Sequence, residues 1–398
     1  MRTSIPFLAT ACLVVAAAVA MLVAYAPLRA DDAYIVARYA TQWWRGHGLV
    51  YNVGERIAMF TSPLHTGLSV ALAAFAVDVV AAYQLLAAII VASFLGFVAW
   101  SGWRMRPQAL LFLALTLASP IVAFWSVGGL ETPLLLVLCT AIALLSLADW
   151  QPSPRRAVFV IALSTLAVLT RYDAALFVVP VALAWLWSFR RHASVVAIGV
   201  IGGLVFGGWL AWTIYYYGDP LPTSFYVKAS SVTARDLALG VVYLASFVVL
   251  SLVWLPLVLG VERKHSTLRA ALVVGLAFEL TYGIFAGTRH MMYLYRLFVP
   301  YLPALVLLLM PATRTPIRHG YALVLACVVM QAAFGCFIYS YSENPTLALA
   351  VRNGETFEFD RLGARHTATF LDAVRAQAAP IAQHWQQHGD TTRAHASS

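Results

Sequence analysis

The feature that most constrains this chain is the recurrence of apolar blocks, each about 17–25 residues long, from the N-terminus to about residue 342. As a helix, a block of that length matches the hydrocarbon core of a bilayer, where backbone polar groups must be satisfied within the segment. Of the 398 residues, 62% are hydrophobic and 11% charged, and the mean hydropathy is +0.80. That is more apolar side chain than a soluble domain needs. The sequence therefore predicts an all-α fold: a polytopic membrane protein of about eleven transmembrane helices, with interfacial helices after the first span.

Spans are expected at about 5–28, 84–102, 108–126, 130–148, 156–170, 173–190, 194–214, 238–260, 269–286, 296–311 and 320–342. The N-terminal run reads as an uncleaved span rather than a signal peptide, because it is long and Leu28-Arg29-Ala30 is a poor cleavage site. The segment Leu64–Val77 is apolar but short and ends at Asp78, which suits a helix lying in the interface. Basic residues decide its placement. If Leu64–Val77 does not cross, Arg104, Arg106, Arg155, Arg156, Arg190, Arg191, Arg263 and Lys264 share one side with Arg2, which is then cytoplasmic. The C-terminus falls on the other side. Domain organisation follows: a membrane domain over 1–342, with 29–83 as its first outer loop, and a short polar tail over 343–398. One helix is expected in that tail, around Arg361–Gln387.

The net charge of +9 sits in short basic clusters between apolar blocks, which gives no sign of a nucleic-acid partner. Cys12, Cys139, Cys327 and Cys336 all lie inside apolar runs and read as small apolar filler. His47 and His65 are isolated, and no His/Glu pattern has metal-ligand spacing. No Gly-rich nucleotide loop occurs. Neither a protein-built metal site nor a cofactor is expected, while a divalent cation carried with a phosphate stays open.

The outer side collects a different residue set. Asp31 and Asp32 stand where the first span ends, followed at helical spacing by Tyr34 and Arg38. Further outer stretches are Ser126–Thr132 with Glu131, Thr170–Asp173 with Arg171 and Asp173, Tyr215–Lys228 with Asp219, and Gly287–Arg296 with Arg289 and His290. Acids, fixed cations, aromatics, Gly and Pro on one face point to an extracytoplasmic site.

Two readings stand beside each other for these residues. Asp31-Asp32 either punctuates a span end or forms a general base with an orienting neighbour; two close carboxylates split their pKa values, which suits the second role. Asp31 is the expected base. Arg171, Lys228, Arg289, His290 and Arg296 are candidate phosphate binders, against ordinary snorkelling of cations to the interface. Glu131 either caps the following helix or is a second site acid. The aromatics Trp43, Trp44 and Tyr215–Tyr217 suit an interfacial belt better than a sugar platform.

The first loop, D-D-A-Y-I-V-A-R-Y-A then G-H-G-L-V-Y-N-V-G-E-R and F-T-S-P-L, resembles the opening of GT-C superfamily membrane glycosyltransferases. Within that superfamily it is most similar to the group containing the mycobacterial terminal arabinofuranosyltransferase. The likeness continues through G-L-E-T-P, L-T-R-Y-D, Y-G-D-P-L-P-T-S-F-Y-V-K-A and R-L-F-V-P-Y-L-P. It implies a polyprenyl-phosphate sugar donor, with arabinofuranose as one pentose it suggests, and an inverting transfer to a cell-envelope glycan, lipid or protein. It also implies an aspartate of the first loop as base and surface helices after the first span. The setting is the bacterial inner membrane, with the site outside the cytoplasm. The chain departs from the family pattern at Ile57–Thr61, where an acid is missing, at His65, where Trp is frequent, and at Tyr172, where Pro is favoured.

A membrane transporter or flippase for a lipid-linked or anionic substrate is the reading from another class, with Arg171, Asp173 and Glu279 lining a path. The lack of two related halves counts against it. A ligase joining whole lipid-linked glycans is a third.

Overall fold

The computed structural model describes residues 5–27, 29–76, 78–101, 106–147, 152–223, 225, 233–258, 266–286, 293–310 and 320–343. Lys228, Arg289, His290 and the tail beyond Glu343, with its expected helix, lie outside the described residues. Among the described residues all regular structure is helical. The first compact unit runs Met1–Gly335, and of the second, Cys336–Ser398, only the end of one helix is described.

In chain order the helices are α1 (Ile5–Tyr25), α2 (Asp31–Trp44), α3 (Pro63–Ala73), α4 (Val79–Ser101), α5 (Arg106–Leu115), α6 (Pro120–Val127) and α7 (Thr132–Leu147). Then follow α8 (Pro154–Thr170), α9 (Ala175–Ser188), α10 (Ala193–Tyr217), α11 (Ala234–Leu250), α12 (Thr267–Ala286), α13 (Leu302–Leu309) and α14 (Gly320–Glu343), with a single helical turn at Leu255–Val258 before α12. Four stretches are long and apolar enough to cross a membrane: Phe7–Tyr25, Val79–Trp100, Ala193–Tyr217 and Thr267–Ala286. The pair Gln108–Leu115 and Pro120–Val127 makes a fifth if its two halves are one span.

Two expected spans are built differently. The block 108–126 is bent by 57° between α5 and α6. Pro120 begins α6 and the preceding Ser119 is extended (φ −81°, ψ 126°), as a residue before proline tends to be. The block 296–311 is a 3-10 turn at Val299–Tyr301 followed by the eight-residue α13. Pro300 and Pro303 remove two backbone donors there. Leu302, Ala304, Val306 and Leu308 are all buried, so α13 is core packed on α7 rather than a lipid-facing helix.

α3 has 11 residues, a rise of only about 16 Å, about half the bilayer core. Its buried residues, Pro63, His65, Thr66 and Ser69, are mostly polar. A span facing lipid would show the opposite pattern. α2 is amphipathic, burying Ala33, Val36, Tyr39 and Ala40 at three- and four-residue spacing. Tyr39 anchors the loop that follows: its hydroxyl donates to Ile57 O and accepts from the Met59 N–H at 3.2 Å. Val36, Tyr39, Leu49 and Phe60 then form a small core with Trp209, Trp212 and Tyr217 of α10, and Tyr217 donates to Leu49 O at 2.7 Å.

α8 and α9 form a hairpin packed on α7, α10 and α12. α9 and α12 approach so closely that a Cβ on Gly275 would collide with Phe177 O. Small residues permit this backbone contact between apolar helices. It holds the α8–α9 break, Arg171 to Ala174, in a fixed place.

Candidate functional site

The site forms where the start of α2, the α6–α7 loop, the α8–α9 break and the segment before α13 meet. The α6–α7 loop brings the first two together. Ala30 N–H donates to Gly128 O at 3.0 Å, just ahead of Asp31. Gly129 is left-handed (φ +79°), and a Cβ there would lie 3.0 Å from both Ala33 Cβ and Val80 Cγ1. Only glycine suits that backbone at that distance. Glu131 follows, immediately ahead of α7.

Glu131 is the hub. Its side chain is 3% exposed, and its Oε1 accepts from Arg171 Nη1 at 2.8 Å and from Arg296 Nη2 at 3.2 Å. The other ends of both guanidiniums carry acids. Arg171 grips Asp173 with Nε at 2.9 Å and Nη2 at 2.6 Å, a two-pronged pairing that lysine cannot make. Arg296 Nη1 reaches Asp32 Oδ2 at 3.2 Å. The result is one line of charge: Asp32, Arg296, Glu131, Arg171, Asp173. Among the described residues this line holds three carboxylates and two guanidiniums, a formal surplus of one negative charge.

Local backbone explains each position. Arg171 is extended (φ −154°, ψ 132°), ending α8 before the 3-10 turn Tyr172–Ala174. That turn returns Asp173 to the same guanidinium two residues away. Glu131 lies beside the first turn of α7, where the helix dipole also favours an acid. Both of its expected roles are thus compatible with one location. Leu294 (φ 45°) and Tyr295 (φ 59°) reverse the chain just before Arg296.

The two adjacent acids differ. Asp32 has a side chain 49% exposed and is tied to Arg296. Asp31 is exposed, and its Oδ1 accepts the Asp32 N–H at 2.9 Å. Asp32, rather than Asp31, joins the buried network, and about half of its side chain stays exposed.

Several other expected site residues lie elsewhere. Tyr34 accepts from Arg29 at 3.3 Å, and Arg29 pairs with Asp78 at 2.8 Å; the first turn of α2 is thereby fastened to the start of α4. Arg38 donates to Tyr51 O at 2.7 Å and lies 4.8 Å from the Tyr51 ring, where it braces the first loop. Asp219 accepts the Leu221 N–H at 3.1 Å in the turn after α10. Arg171 and Arg296 are each occupied on both edges by acids.

Three residues enter that the motifs did not single out as site members. His65 Nδ1 lies 4.0 Å from Glu131 Oε2, and its ring packs 4.2 Å from that of Tyr83. Burial pushes its pKa down to about 4; the Glu131 charge opposes this and Arg296 reinforces it. The imidazole is neutral at pH 7. Its sequence signal was its place in the F-T-S-P-L-H stretch, where it departs from the family pattern. Tyr172 accepts from Trp209 Nε1 at 2.7 Å, joining the α8–α9 break to α10. Trp125 lies under Arg296, with the guanidinium carbon 5.5 Å from its ring. Among the described residues no group of three His, Cys, Asp or Glu side chains is arranged to hold a metal ion.

Comparison with protein-family models, with curated proteins and with solved structures gives no match for this chain.

Proposed function

We propose that the chain is a membrane glycosyltransferase that moves a sugar from a polyprenyl-phosphate donor to a cell-envelope acceptor at the extracytoplasmic face. Asp32 serves as general base. The acceptor hydroxyl passes its proton to Asp32, its oxygen attacks the anomeric carbon from the opposite face, and the bond from that carbon to the phosphate oxygen breaks. Polyprenyl phosphate leaves with the bonding electrons, and the sugar centre is inverted. An oxocarbenium-like transition state is stabilised by the surplus negative charge of the site.

The observation that carries this reading is a half-exposed first-loop carboxylate held by Arg296 to a buried Glu131–Arg171–Asp173 network. Lys228, Arg289 and His290 of the outer stretches are assigned to the donor phosphate. Arg171 and Arg296, each held by an acid on both edges, are assigned to the framework. Eleven spans, N-terminus inside, complete the topology, and the prenyl chain stays in the bilayer while its phosphate reaches the outer face.

The test is transfer from radiolabelled polyprenyl-phosphate sugars to envelope acceptors in membranes, comparing wild type with Asp31→Asn and Asp32→Asn at matched expression. Asp32→Asn should lose about 100-fold or more in rate, the contribution of a positioned base, and Asp31→Asn should stay within about threefold. Full activity in Asp32→Asn would refute the base assignment. A second reading, a transporter, draws on Glu279, a carboxylate 1% exposed within α12. Substrate uptake into vesicles that Glu279→Gln abolishes, with no sugar transfer by wild type, would favour it.

A further inference from the structure

We infer that Trp125 is a positioning residue: one indole holds the segment Leu294–Arg296 so that Arg296 lies across Asp32 and Glu131. Trp125 sits in the last turn of α6 and is 1% exposed. Its Nε1–H donates to Leu294 O at 2.9 Å. Its ring face lies 5.5 Å from the Arg296 guanidinium carbon, within the range of a cation–π contact. The same side chain thus holds the backbone two residues before Arg296 and the charged end of Arg296 itself.

That double hold answers a specific need. Leu294 (φ 45°, ψ 39°) and Tyr295 (φ 59°) are consecutive side-chain-bearing residues in left-handed backbone. Such residues are unfavourable and persist where their surroundings over-determine them. On one side the surroundings are the Trp125 N–H. On the other, the Tyr295 ring packs against Tyr243 and Phe247 of α11 at 5.2 and 5.6 Å. The reversal aims Arg296 back at α2 and the α6–α7 loop. There Nη1 takes Asp32 and Nη2 takes Glu131, while Nε is buried with no hydrogen-bond partner among the described residues. Besides the two acids, the guanidinium carbon has the Trp125 ring 5.5 Å away.

Arg296 is the link between the half-exposed Asp32 and the buried acids, so its orientation sets where the Asp32 carboxylate points. A catalytic group displaced by about 1 Å loses about 100-fold in rate. The functional arm of the inference rests on the transfer reaction proposed above; the structural arm does not.

The experiment uses full-length protein in detergent. Trp125→Phe removes the N–H and keeps an aromatic face, and Trp125→Leu removes both. The first readout is phenylglyoxal modification of Arg296, followed by peptide mass spectrometry, with Arg171 in the same sample as control. Arg296 should react about fivefold faster in Trp125→Phe, as expected for one lost hydrogen bond, and faster again in Trp125→Leu. Arg171 should be unchanged. The second readout is sugar transfer: in Trp125→Phe, kcat should fall about tenfold with donor KM within about twofold, because a displaced base affects the chemical step. Unchanged Arg296 reactivity in both variants overturns the inference. So does a parallel rise at Arg296 and Arg171, which would mean general loosening. Selective exposure of Arg296 in a protein whose wild type transfers no sugar upholds the positioning role and removes the glycosyltransferase reading instead.

Discussion

Glu131 accepts a hydrogen bond from Arg171 at 2.8 Å across 40 residues of chain, and both side chains are nearly sealed from solvent. A buried ion pair of this kind is held together by what surrounds it, since neither charge tolerates losing its partner. The fork of Arg171 also takes both oxygens of Asp173. The pairing therefore ties α7 to the α8–α9 break, and Arg296 extends the tie to α2.

Replacing Arg171 by Met leaves Glu131 and Asp173 without their shared counter-ion. The expected loss is about 3–5 kcal/mol, typical for a broken buried pair. It should register as a large drop in thermal stability in detergent. A variant that melts like wild type but binds donor poorly would instead make Arg171 a phosphate ligand.

Gly129→Ala introduces a side chain into left-handed backbone and against Ala33 and Val80 at 3.0 Å. The cost should be about 1–3 kcal/mol. Because Ala33 lies in the first turn of α2, hydrogen exchange should quicken at the start of α2 before it does in α8 or α9.

His65 makes stability depend on pH. Its folded pKa is about 4, below the ordinary 6.5, because burial disfavours the imidazolium. The unfolded chain therefore binds this proton at a higher pH than the folded chain does. The stabilisation is fully present above pH 6.5 and is lost as pH falls from there through 4. The slope in that window is at most about 1.4 kcal/mol per pH unit. Melting temperature measured from pH 7.5 down to 4.5 should fall for wild type and fall less steeply for His65→Gln; parallel curves would exclude His65 as the titrating group.

Tyr39→Phe deletes a buried hydroxyl that donates to Ile57 O and accepts from Met59 N–H. Burial raises this hydroxyl's pKa to about 12, so it is a neutral partner at every working pH. Its loss should cost about 1–2 kcal/mol and make the 52–62 loop more sensitive to limited proteolysis, with the spans unaffected.

Much of the helical framework was legible in the sequence because it depends on local properties: block length, hydropathy and the spacing of charge. The shortness of α3 was legible for the same reason, and so was the concentration of acids, arginines and aromatics in a few stretches between the apolar blocks. The bend at Pro120 was not read from the sequence, where 108–126 stands as one span; the 57° angle depends on what the two halves pack against. The pairing of charges was not legible. Asp32 and Arg296 are 264 residues apart, and Glu131 and Arg296 are 165 apart, so no periodicity connects them. Asp31 and Asp32 are identical side chains in adjacent positions, and only the direction each takes from the first turn of α2 separates them. Trp125 sits unmarked in an apolar run, and its contact with Arg296 exists only because two left-handed residues turn the distant chain back onto it. Local chemistry determined which segments are long and apolar enough to cross a membrane and which residues carry charge; the tertiary fold decided which charges meet, because burial makes each depend on a partner that only packing supplies.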